Sequence, residues 1–425
     1  MKLEIERQDF LKAWQNAEKL TASKTSNEAA KGVLITAYED NSVTLEATDL
    51  NTSIKCRAKG ASVIEPGKAV IPSAIFGGIL RKLDTEDFVL EVNSERGFLN
   101  AGRNKMRFTV ISPETFPNIP ESSSADVICD VSAPVLAKII AEGCSAASQP
   151  QDFPKYLGTC LIRCADSQLT AVSTDGKRLS LSKAPCVPSK DDDLLLSANA
   201  LKDFAKNISS LEQENTVRIL ADGSMVWFGL DEAEYSIRRV DASFPKFERI
   251  LNDEKYTILH INAGDFMKVL ERIDIIAKTT IVHIMSVTMK PGGDMKITAR
   301  SPELGTAIET LQPEITGSNL HLGFNVSYFM DGLKALGNEE AVIEFSGEEG
   351  QTRMKREGSE DFLYMLMPAR LTTQDAVTEE ESADFTPDEP IDPEQSQEQP
   401  TESESQQDNG ESPQKNENSE SDTPF

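Results

Sequence analysis

The sequence contains few of the residues from which metal centres are usually built. Only three of its 425 residues are histidines: His260, His283 and His321. They are far apart in the sequence, and each lies in a mainly apolar or β-like stretch, which favours a partly buried structural role for all three. The histidines therefore do not predict a metal site.

Cysteines are also few, and they are spread without the dense spacing of a secreted disulfide scaffold, which predicts reduced thiols. Cys160 and Cys164 form a close pair on a strand-like segment, but no second Cys or His pair follows at zinc-site spacing. Core packing is therefore favoured over metal binding for this pair. We expect no metal ion and no cofactor. The cysteines are Cys56, Cys129, Cys144, Cys160, Cys164 and Cys186.

Catalytic motifs are missing as well. Residues 65–68 contain a Gly-Lys pair without the spacing of a phosphate-binding loop, and residues 191–193 are typical of a solvated loop. Asp49 and Asp175 each follow a strand, where an aspartate commonly accepts hydrogen bonds from backbone N–H groups. A DNA-processing enzyme such as a nuclease is an alternative, but it requires a convergent acidic or metal site. We therefore expect that the protein is not an enzyme.

Long apolar runs are absent, which predicts that no segment spans a membrane. Residues 1–7 alternate apolar and charged side chains like a first strand and lack the apolar core of a signal peptide, which predicts a cytoplasmic protein. Residues 372–425 contain 17 acidic residues and one lysine, within a chain whose net charge is −27. This segment has too little apolar surface to offset chain entropy, so we expect a disordered acidic tail.

Before this tail the sequence repeats itself at a long interval. Asp49 and Asp175 follow similar strand-like segments and are 126 residues apart, and Ser301 takes the corresponding place after a third such segment. Phe-Pro turns at 116–117 and 244–245 recur at a similar interval, with Met367 and Pro368 in the third position. Polar stretches follow the first two turns. The spacing predicts three domains, at residues 1–124, 125–252 and 253–371.

Each predicted domain contains two helical segments. The first set is residues 9–20, 132–145 and 263–277, and the second is 72–83, 197–208 and 325–336. In the first segment Phe10, Ala13, Trp14 and Ala17 form an apolar stripe at helical spacing, and Ser197 and Asn325 are candidate N-caps. Together with many short strands, these segments predict an α+β fold of three tandem copies. Cations recur in these helices, which predicts a shared basic face, although Glu18, Asp203 and Glu271 dilute it. The cations are Lys12, Lys19, Arg81, Lys82, Lys138, Lys202, Lys206, Lys268, Arg272 and Lys334.

A series of motifs across residues 1–371 resembles the bacterial DNA polymerase III beta sliding clamp. The motifs are residues 65–67, 101–103, 116–118, 173–179, 244–250, 323–328 and 367–371. The resemblance implies a processivity factor: a head-to-tail homodimer of DNA-clamp domains that closes a ring around duplex DNA. It also implies partners among DNA polymerase III subunits, the clamp loader and other clamp-motif proteins. Weak, sequence-independent phosphate contacts suit such sliding.

The resemblance also implies a peptide-binding pocket between the second and third domains. Lys177 stands where the family often has His, Ala369 where Met is common, and Ala74 where an Arg often touches DNA. A clamp paralogue that serves repair or an extrachromosomal replicon is therefore an alternative. The implied pocket residues are Leu157, Thr174, Gly176, Lys177, Arg178, Leu179, Pro245, Arg249, Ile250, Asn325, Tyr328, Met365, Met367, Pro368 and Arg370. Further DNA contacts at the channel mouth are expected from Lys24, Gln151, Lys155 and Tyr156.

Complementary residues near the two ends of the folded part predict how two copies meet. Cations alternate on a strand of the first domain beside apolar residues, and the third domain offers carboxylates and isoleucines. On the first domain these residues are Arg103, Lys105, Arg107, Phe108 and Val110. On the third domain they are Ile275, Ile276, Glu303 and Glu309.

Overall fold

The computed structural model of the chain describes residues 1–22, 25–150, 152–251, 255–280 and 282–372. The predicted acidic tail lies outside this part, apart from Thr372. Six α-helices occur in the described part, and none of them is both long and apolar enough to cross a membrane. They are α1 (Arg7–Glu18), α2 (Ser73–Lys82), α3 (Ala133–Gly143), α4 (Ala198–Ile208), α5 (Ala263–Ala277) and α6 (Val326–Leu336). Short 3-10 helices span Glu28–Lys31, Pro113–Thr115, Ser122–Ser124, Lys155–Gly158 and Phe247–Ile250.

The strands of the described part fall into three successive groups of nine. The first group is β1 (Lys2–Glu6), β2 (Gly32–Ala37), β3 (Val43–Thr48), β4 (Thr52–Arg57), β5 (Ala61–Glu65), β6 (Gly67–Pro72), β7 (Asp87–Val92), β8 (Arg96–Ala101) and β9 (Asn104–Thr109). The second is β10 (Asp126–Ser132), β11 (Thr159–Ala165), β12 (Gln168–Thr174), β13 (Arg178–Pro185), β14 (Val187–Pro188), β15 (Asp192–Ser197), β16 (Thr216–Ala221), β17 (Met225–Gly229) and β18 (Ala233–Arg238). The third is β19 (Thr257–Asn262), β20 (Ile284–Met289), β21 (Met295–Ser301), β22 (Gly305–Leu311), β23 (Glu314–Gly317), β24 (Leu320–Asn325), β25 (Glu340–Phe345), β26 (Thr352–Arg356) and β27 (Phe362–Leu366).

Strands and helices follow one order three times. Each repeat consists of a strand, a helix, five strands, a second helix and three strands. This order confirms the predicted α+β fold of three tandem units. The domain boundaries at residues 124 and 252 stay predictions, and residue 252 is outside the described part.

The first helix of the chain shows why these segments are helical. Phe10, Trp14 and Ala17 recur at helical spacing and are fully buried, whereas Lys12 on the other side is exposed. The Trp14 ring lies 4.7 Å from the ring of Phe76 in α2, so the two helices of the repeat pack through aromatic side chains. The apolar stripe predicted from the sequence is therefore the face that packs on the core.

Two predicted N-caps begin helices as expected. The Ser197 hydroxyl accepts a hydrogen bond from the backbone N–H of Ala200 at 3.4 Å, and the Asn325 side chain accepts one from Tyr328 at 3.0 Å. Each side chain satisfies a backbone donor that has no partner within the first turn of its helix. The caps fix α4 and α6 at the same place in successive repeats.

Antiparallel pairing joins the strands into four sheets. Two sheets contain nine strands each and continue from one repeat into the next. In the first, β18 pairs with β4, and in the second, β27 pairs with β13. The other two sheets have five and four strands, in the orders β5-β1-β7-β8-β9 and β22-β21-β20-β24. Strands β9 and β22 therefore pair on one side only within the described residues.

Candidate functional site

A cleft lies where the second repeat meets the third. The turn between β12 and β13 faces the end of β27 across a cavity of about 310 Å³. Met367 and Ile250 at its rim are each 49% exposed, which is unusual for large apolar side chains. The lining residues are Thr174, Gly176, Lys177, Arg178, Leu179, Ile250, Gln351, Met365, Leu366 and Met367.

Local hydrogen bonds shape the turn at one side of this cleft. Asp175 Oδ1 accepts hydrogen bonds from the backbone N–H groups of Lys177 at 2.9 Å and Arg178 at 3.0 Å, as its position after a strand predicted. Gly176 has a φ of 86°, a left-handed conformation that glycine adopts without steric cost. The backbone N–H of Met367 donates to Lys177 O at 3.0 Å, which fixes the chain end against the turn.

Arg178 forms a wall of the cleft and is held from three directions. Its side chain is 9% exposed, and it donates to Asp175 Oδ2 at 2.9 Å, Asp331 Oδ2 at 2.6 Å and the Tyr364 hydroxyl at 3.0 Å. Its guanidinium also lies 4.1 Å from the centre of the Tyr328 ring. Because these contacts satisfy the guanidinium, Arg178 positions the cleft rather than offering a free charge to a ligand.

The Tyr364 hydroxyl completes this network. Burial raises the pKa of Tyr364, so the hydroxyl stays protonated at neutral pH. It donates to the carbonyl oxygen of Tyr328 at 2.7 Å while it accepts from Arg178. The network therefore ties β13, β27 and the start of α6 together.

A second cavity of about 450 Å³ is formed by the residues that follow β27. The backbone N–H of Ala369 donates to Gly323 O at 2.8 Å, and a Cβ on Gly323 would lie 2.5 Å from Ala369 O. This close approach requires glycine at position 323. The second cavity is lined by His321, Leu322, Gly323, Glu348, Glu349, Pro368, Ala369, Arg370 and Leu371.

Other residues of the implied pocket lie elsewhere. Pro245 lines a separate cavity of about 420 Å³, and Asn325 caps α6. Leu157 and Arg249 line none of these three cavities. Gln351, which sequence reasoning missed, enters the cleft from the segment before β26, and no sequence signal marks it.

Most of the helical cations predicted to face DNA are paired with carboxylates of this chain. Lys19, Lys82 and Lys202 make no ion pair within the described residues, and Lys19 donates instead to Asn207 Oδ1. The pairs are Lys12–Asp9, Arg81–Glu18, Lys138–Glu142, Lys138–Asp361, Lys206–Asp203, Lys268–Asp265, Arg272–Glu309 and Lys334–Asp331, with N–O distances from 2.6 to 3.9 Å. Most of these cations are therefore neutralised within the chain, and their sharing of one face stays a prediction.

Of the four residues expected at a channel mouth, Lys24 and Gln151 are outside the described residues. Lys155 begins the short helix Lys155–Gly158. The ring of Tyr156 lies 6.2 Å from that of Phe244. The expected DNA contacts of all four residues stay predictions.

The residues predicted for a contact between copies lie near the free edges of β9 and β22, but some of them are buried or already paired. Phe108 and Val110 are each 8% exposed, so they pack in the chain's own core and leave little apolar surface for a partner. Glu309 already accepts from Arg272 at 2.6 Å. Ile275 and Leu304, at 54% and 57% exposed, supply the apolar surface at β22, and the sequence had not suggested Leu304.

Three cysteines come together although they are distant in sequence. The sulfur atoms of Cys129, Cys164 and Cys186 all lie within 4.8 Å of one another. Burial raises the pKa of Cys186 to about 11, and the other two thiols are more deeply buried. Burial likewise raises the pKa of Cys129, so Cys129 and Cys186 are thiols at neutral pH as long as no ion is bound.

Comparisons with known proteins agree with this fold. The model of the DNA polymerase III beta subunit N-terminal domain matches residues 1–120, and that of the C-terminal domain matches residues 248–370. The beta sliding clamp of Staphylococcus epidermidis is 26% identical over 382 residues, covering 87% of this chain and 99% of that protein. The corresponding protein of Staphylococcus aureus is 25% identical with the same coverage.

Solved structures show the same architecture. The DNA polymerase sliding clamp from Bacillus subtilis superposes with a TM-score of 0.82 at 22% identity, covering 88% of this chain and 100% of that chain. A sliding clamp from Pseudomonas aeruginosa bound to griselimycin has a TM-score of 0.80 at 24% identity, covering 87% of this chain and 100% of that one.

Proposed function

Because this chain belongs to the DNA polymerase III beta subunit family, we propose that it is a processivity factor, a ring-shaped sliding clamp around duplex DNA. In this role it tethers a polymerase and other partners to DNA and carries out no catalytic step itself. Its proposed setting is the cytoplasm, where DNA polymerase III subunits and a clamp loader are the expected partners.

The observation that carries this proposal is the order of strands at the ends of the sheets. Each nine-stranded sheet joins a group of five strands that ends in β18 or β27 to a group of four that ends in β4 or β13. The two smaller sheets are an unjoined group of five that ends in β9 and an unjoined group of four that ends in β22. Pairing β9 with β22 of a second copy therefore repeats the two junctions already present in the chain.

Two copies can satisfy both free edges at once. If β9 of each copy pairs with β22 of the other, the assembly has twofold symmetry, two equal contacts and no unpaired junction strand. The exposed cations Arg103, Lys105 and Arg107 then meet the edge formed by β22, near which lie Glu303, in the turn before β22, and the apolar Ile275 of α5. Charge and apolar surface are complementary at such a contact.

The cleft beside Arg178 is the proposed site for partner proteins. An apolar lining with adaptable methionines, such as Met365 and Met367, suits a short peptide with Leu and Phe side chains. Backbone and polar groups from the β12–β13 turn can orient the peptide. The cavity beside Pro368 and Arg370 extends the same surface.

A processivity assay on primed circular DNA with the cognate polymerase and loader tests the proposed function. We expect the product length from a single binding event to increase when the protein is added. The matched control is a linear template with free ends. Because a ring slides off such ends, the increase in product length should disappear on this template. An equal increase on both templates, or none on the circle, would contradict a topologically linked clamp.

A further inference from the structure

The turn beside the cleft has a counterpart between the first and second repeats. In both turns a threonine hydroxyl donates to the carbonyl oxygen four residues later: Thr174 to Arg178 at 2.7 Å, and Thr48 to Thr52 at 2.8 Å. Asp49 Oδ1 accepts from the backbone N–H of Thr52 at 2.7 Å, as Asp175 Oδ1 accepts from that of Arg178. The two junctions are therefore built in the same way, with Thr52 in the place of Arg178.

The surroundings of these two residues also correspond. Counting from the caps Ser197 and Asn325, Ala200 takes the place of Tyr328, and Asp203 takes that of Asp331. In the strands, Tyr235 lies opposite Ile54, two residues after Thr52. Tyr364 likewise lies opposite Ser180, two residues after Arg178. The groups that hold Arg178 thus have the counterparts Asp49, Asp203 and Tyr235, whereas the arginine and its stacking tyrosine are replaced by Thr52 and Ala200.

Loss of the two large side chains leaves a cavity of about 360 Å³ at the first junction. Its lining includes all five counterparts, namely Asp49, Thr52, Ala200, Asp203 and Tyr235. Ser236, also in the lining, is 2% exposed, and its hydroxyl has no hydrogen-bond partner among the described residues. The cavity therefore occupies the space that the arginine side chain fills in the other junction.

We propose that this cavity receives the arginine side chain of a partner protein. Asp49 uses Oδ1 for the turn, and its Oδ2 corresponds to the oxygen of Asp175 that accepts from Arg178 Nε at 2.9 Å. Asp203 approaches from the helix, as Asp331 does. A planar guanidinium presents donors in several directions and suits two carboxylates on different elements better than an ammonium does.

Cations in the lining of this cavity do not fill the arginine position. Lys19 donates to Asn207 Oδ1 at 2.8 Å. Arg239 donates to the carbonyl oxygens of Asp222 and Asp193, both at 2.8 Å. Arg238 is exposed and corresponds to Met367, since each donates its backbone N–H to the turn at 3.0 Å. Lys206 pairs with Asp203 at 2.9 Å, as Lys334 pairs with Asp331, so a ligand shares that carboxylate with a lysine.

Titration of the full-length protein with N-acetylarginine methylamide, followed by NMR, tests the proposal. The citrulline and lysine analogues serve as uncharged and ammonium controls. We expect saturable shifts at the first junction with a Kd of about 1 mM, which corresponds to about −4 kcal/mol, and binding of both analogues at least about tenfold weaker. Equal binding of the three compounds, or no shift at this junction, would overturn the proposal.

Variants separate a specific site from general attraction to carboxylates. Asp203→Asn should weaken arginine binding about tenfold. Asp265→Asn is the matched control, because Asp265 forms the same type of pair with Lys268 at 2.8 Å on α5, and it should leave binding unchanged. Thr52→Arg should fill the cavity from within, abolish binding and keep or raise the Tm. Undiminished arginine binding by both Asp203→Asn and Thr52→Arg would show that the ligand does not occupy this cavity.

Discussion

Arg178 connects two repeats through charges that are almost out of contact with water. Its side chain and that of Asp175 are 9% and 6% exposed, and the guanidinium reaches Asp331 on the next repeat. Removing one partner of such a pair leaves the other charges desolvated and unpaired. The residue therefore affects both the stability of the junction and the shape of the cleft.

We expect Arg178→Ala to lower the free energy of unfolding by about 3 kcal/mol, since Asp175 would remain buried without its cation. Arg218→Ala is the control, because Arg218 forms a comparable two-bond pair with Asp130 on the surface, where solvent screens the pair and the loss should be much smaller. Urea unfolding of the three proteins measures both values. Similar losses for the two variants would mean that burial does not increase the contribution of Arg178 to the free energy of unfolding.

Glu142 is a second buried charge between the same repeats. It is 5% exposed on α3, accepts from the Ser182 hydroxyl at 2.5 Å and pairs with Arg356 of β26. Burial raises the pKa of Glu142 above its usual value of 4.5, against the opposing effects of Ser182 and Arg356. The folded chain therefore holds this proton at a pH where the unfolded chain has lost it.

A raised pKa in the folded state fixes the sign of the pH dependence. The contribution of Glu142 to stability is complete below pH 4.5 and is lost as the pH rises through the raised pKa. Glu142→Gln removes this titration, so the wild type should lose stability relative to the variant as the pH rises from 4.5 towards 7. Urea unfolding at several pH values measures the difference. A relative gain by the wild type would mean that Arg356 outweighs burial.

At the scale of elements, the segment that follows β27 closes the cleft. The backbone N–H of Met367 donates to Lys177 O, and that of Ala369 donates to Gly323 O. Outside any strand, Met367 lines the first cavity, and residues 368–371 line the second. Because this segment comes after the last strand, β27, we expect that the fold does not depend on it. Its loss should affect partner binding more than stability.

Truncation after Met367 tests this separation. The shortened chain should bind a fluorescent Leu- and Phe-containing peptide at least about tenfold more weakly, because Pro368 to Leu371 no longer line the site. A chain that ends at Leu371 is the control and should bind like the full-length protein. Fluorescence polarisation gives both affinities, and circular dichroism should show unchanged folding. Equal affinities would place the peptide elsewhere.

Local signals made much of each element predictable from the sequence. The stripe of Phe10 and Trp14 and the caps Ser197 and Asn325 depend on neighbours within a few residues, and all behave as expected. Pairing across long separations leaves no such signal. The contact between Arg178 and Asp331, and the approach of Gln351 to the cleft, both depend on how β13 and β27 meet.

At the scale of the whole molecule, β9 and β22 stand out because their counterparts in the other repeats are joined to each other, whereas these two strands each pair on one side only within the described residues. The cationic side chains of β9 and the exposed Ile275 near β22 are the groups that a second copy would cover. A positive charge at position 275 would face Arg103, Lys105 and Arg107 in the proposed contact.

We therefore expect Ile275→Lys to weaken the dimer at least about tenfold, because like charges oppose each other across the contact. Val187→Lys is the control, since Val187 is 66% exposed on β14, away from both free edges, and its replacement should leave the dimer intact. Sedimentation velocity at micromolar concentration distinguishes the two states. A wild-type monomer under these conditions would contradict the proposed ring.

The carboxylates beside the helical cations affect how strongly DNA binding by the proposed ring would depend on salt. Lys12, Lys206, Lys268 and Arg272 already carry neutralising partners from their own chain. In the proposed ring, a phosphate that approaches one of them competes with a tethered carboxylate, so the ion pair brings little net positive charge to the duplex. Fewer of the cations condensed on the DNA are then released per contact, so the logarithm of DNA affinity should fall less steeply with the logarithm of salt concentration than the number of protein cations implies. In the proposed ring the chain supplies counterions of its own, so successive phosphates would exchange at nearly constant energy as the duplex moves past.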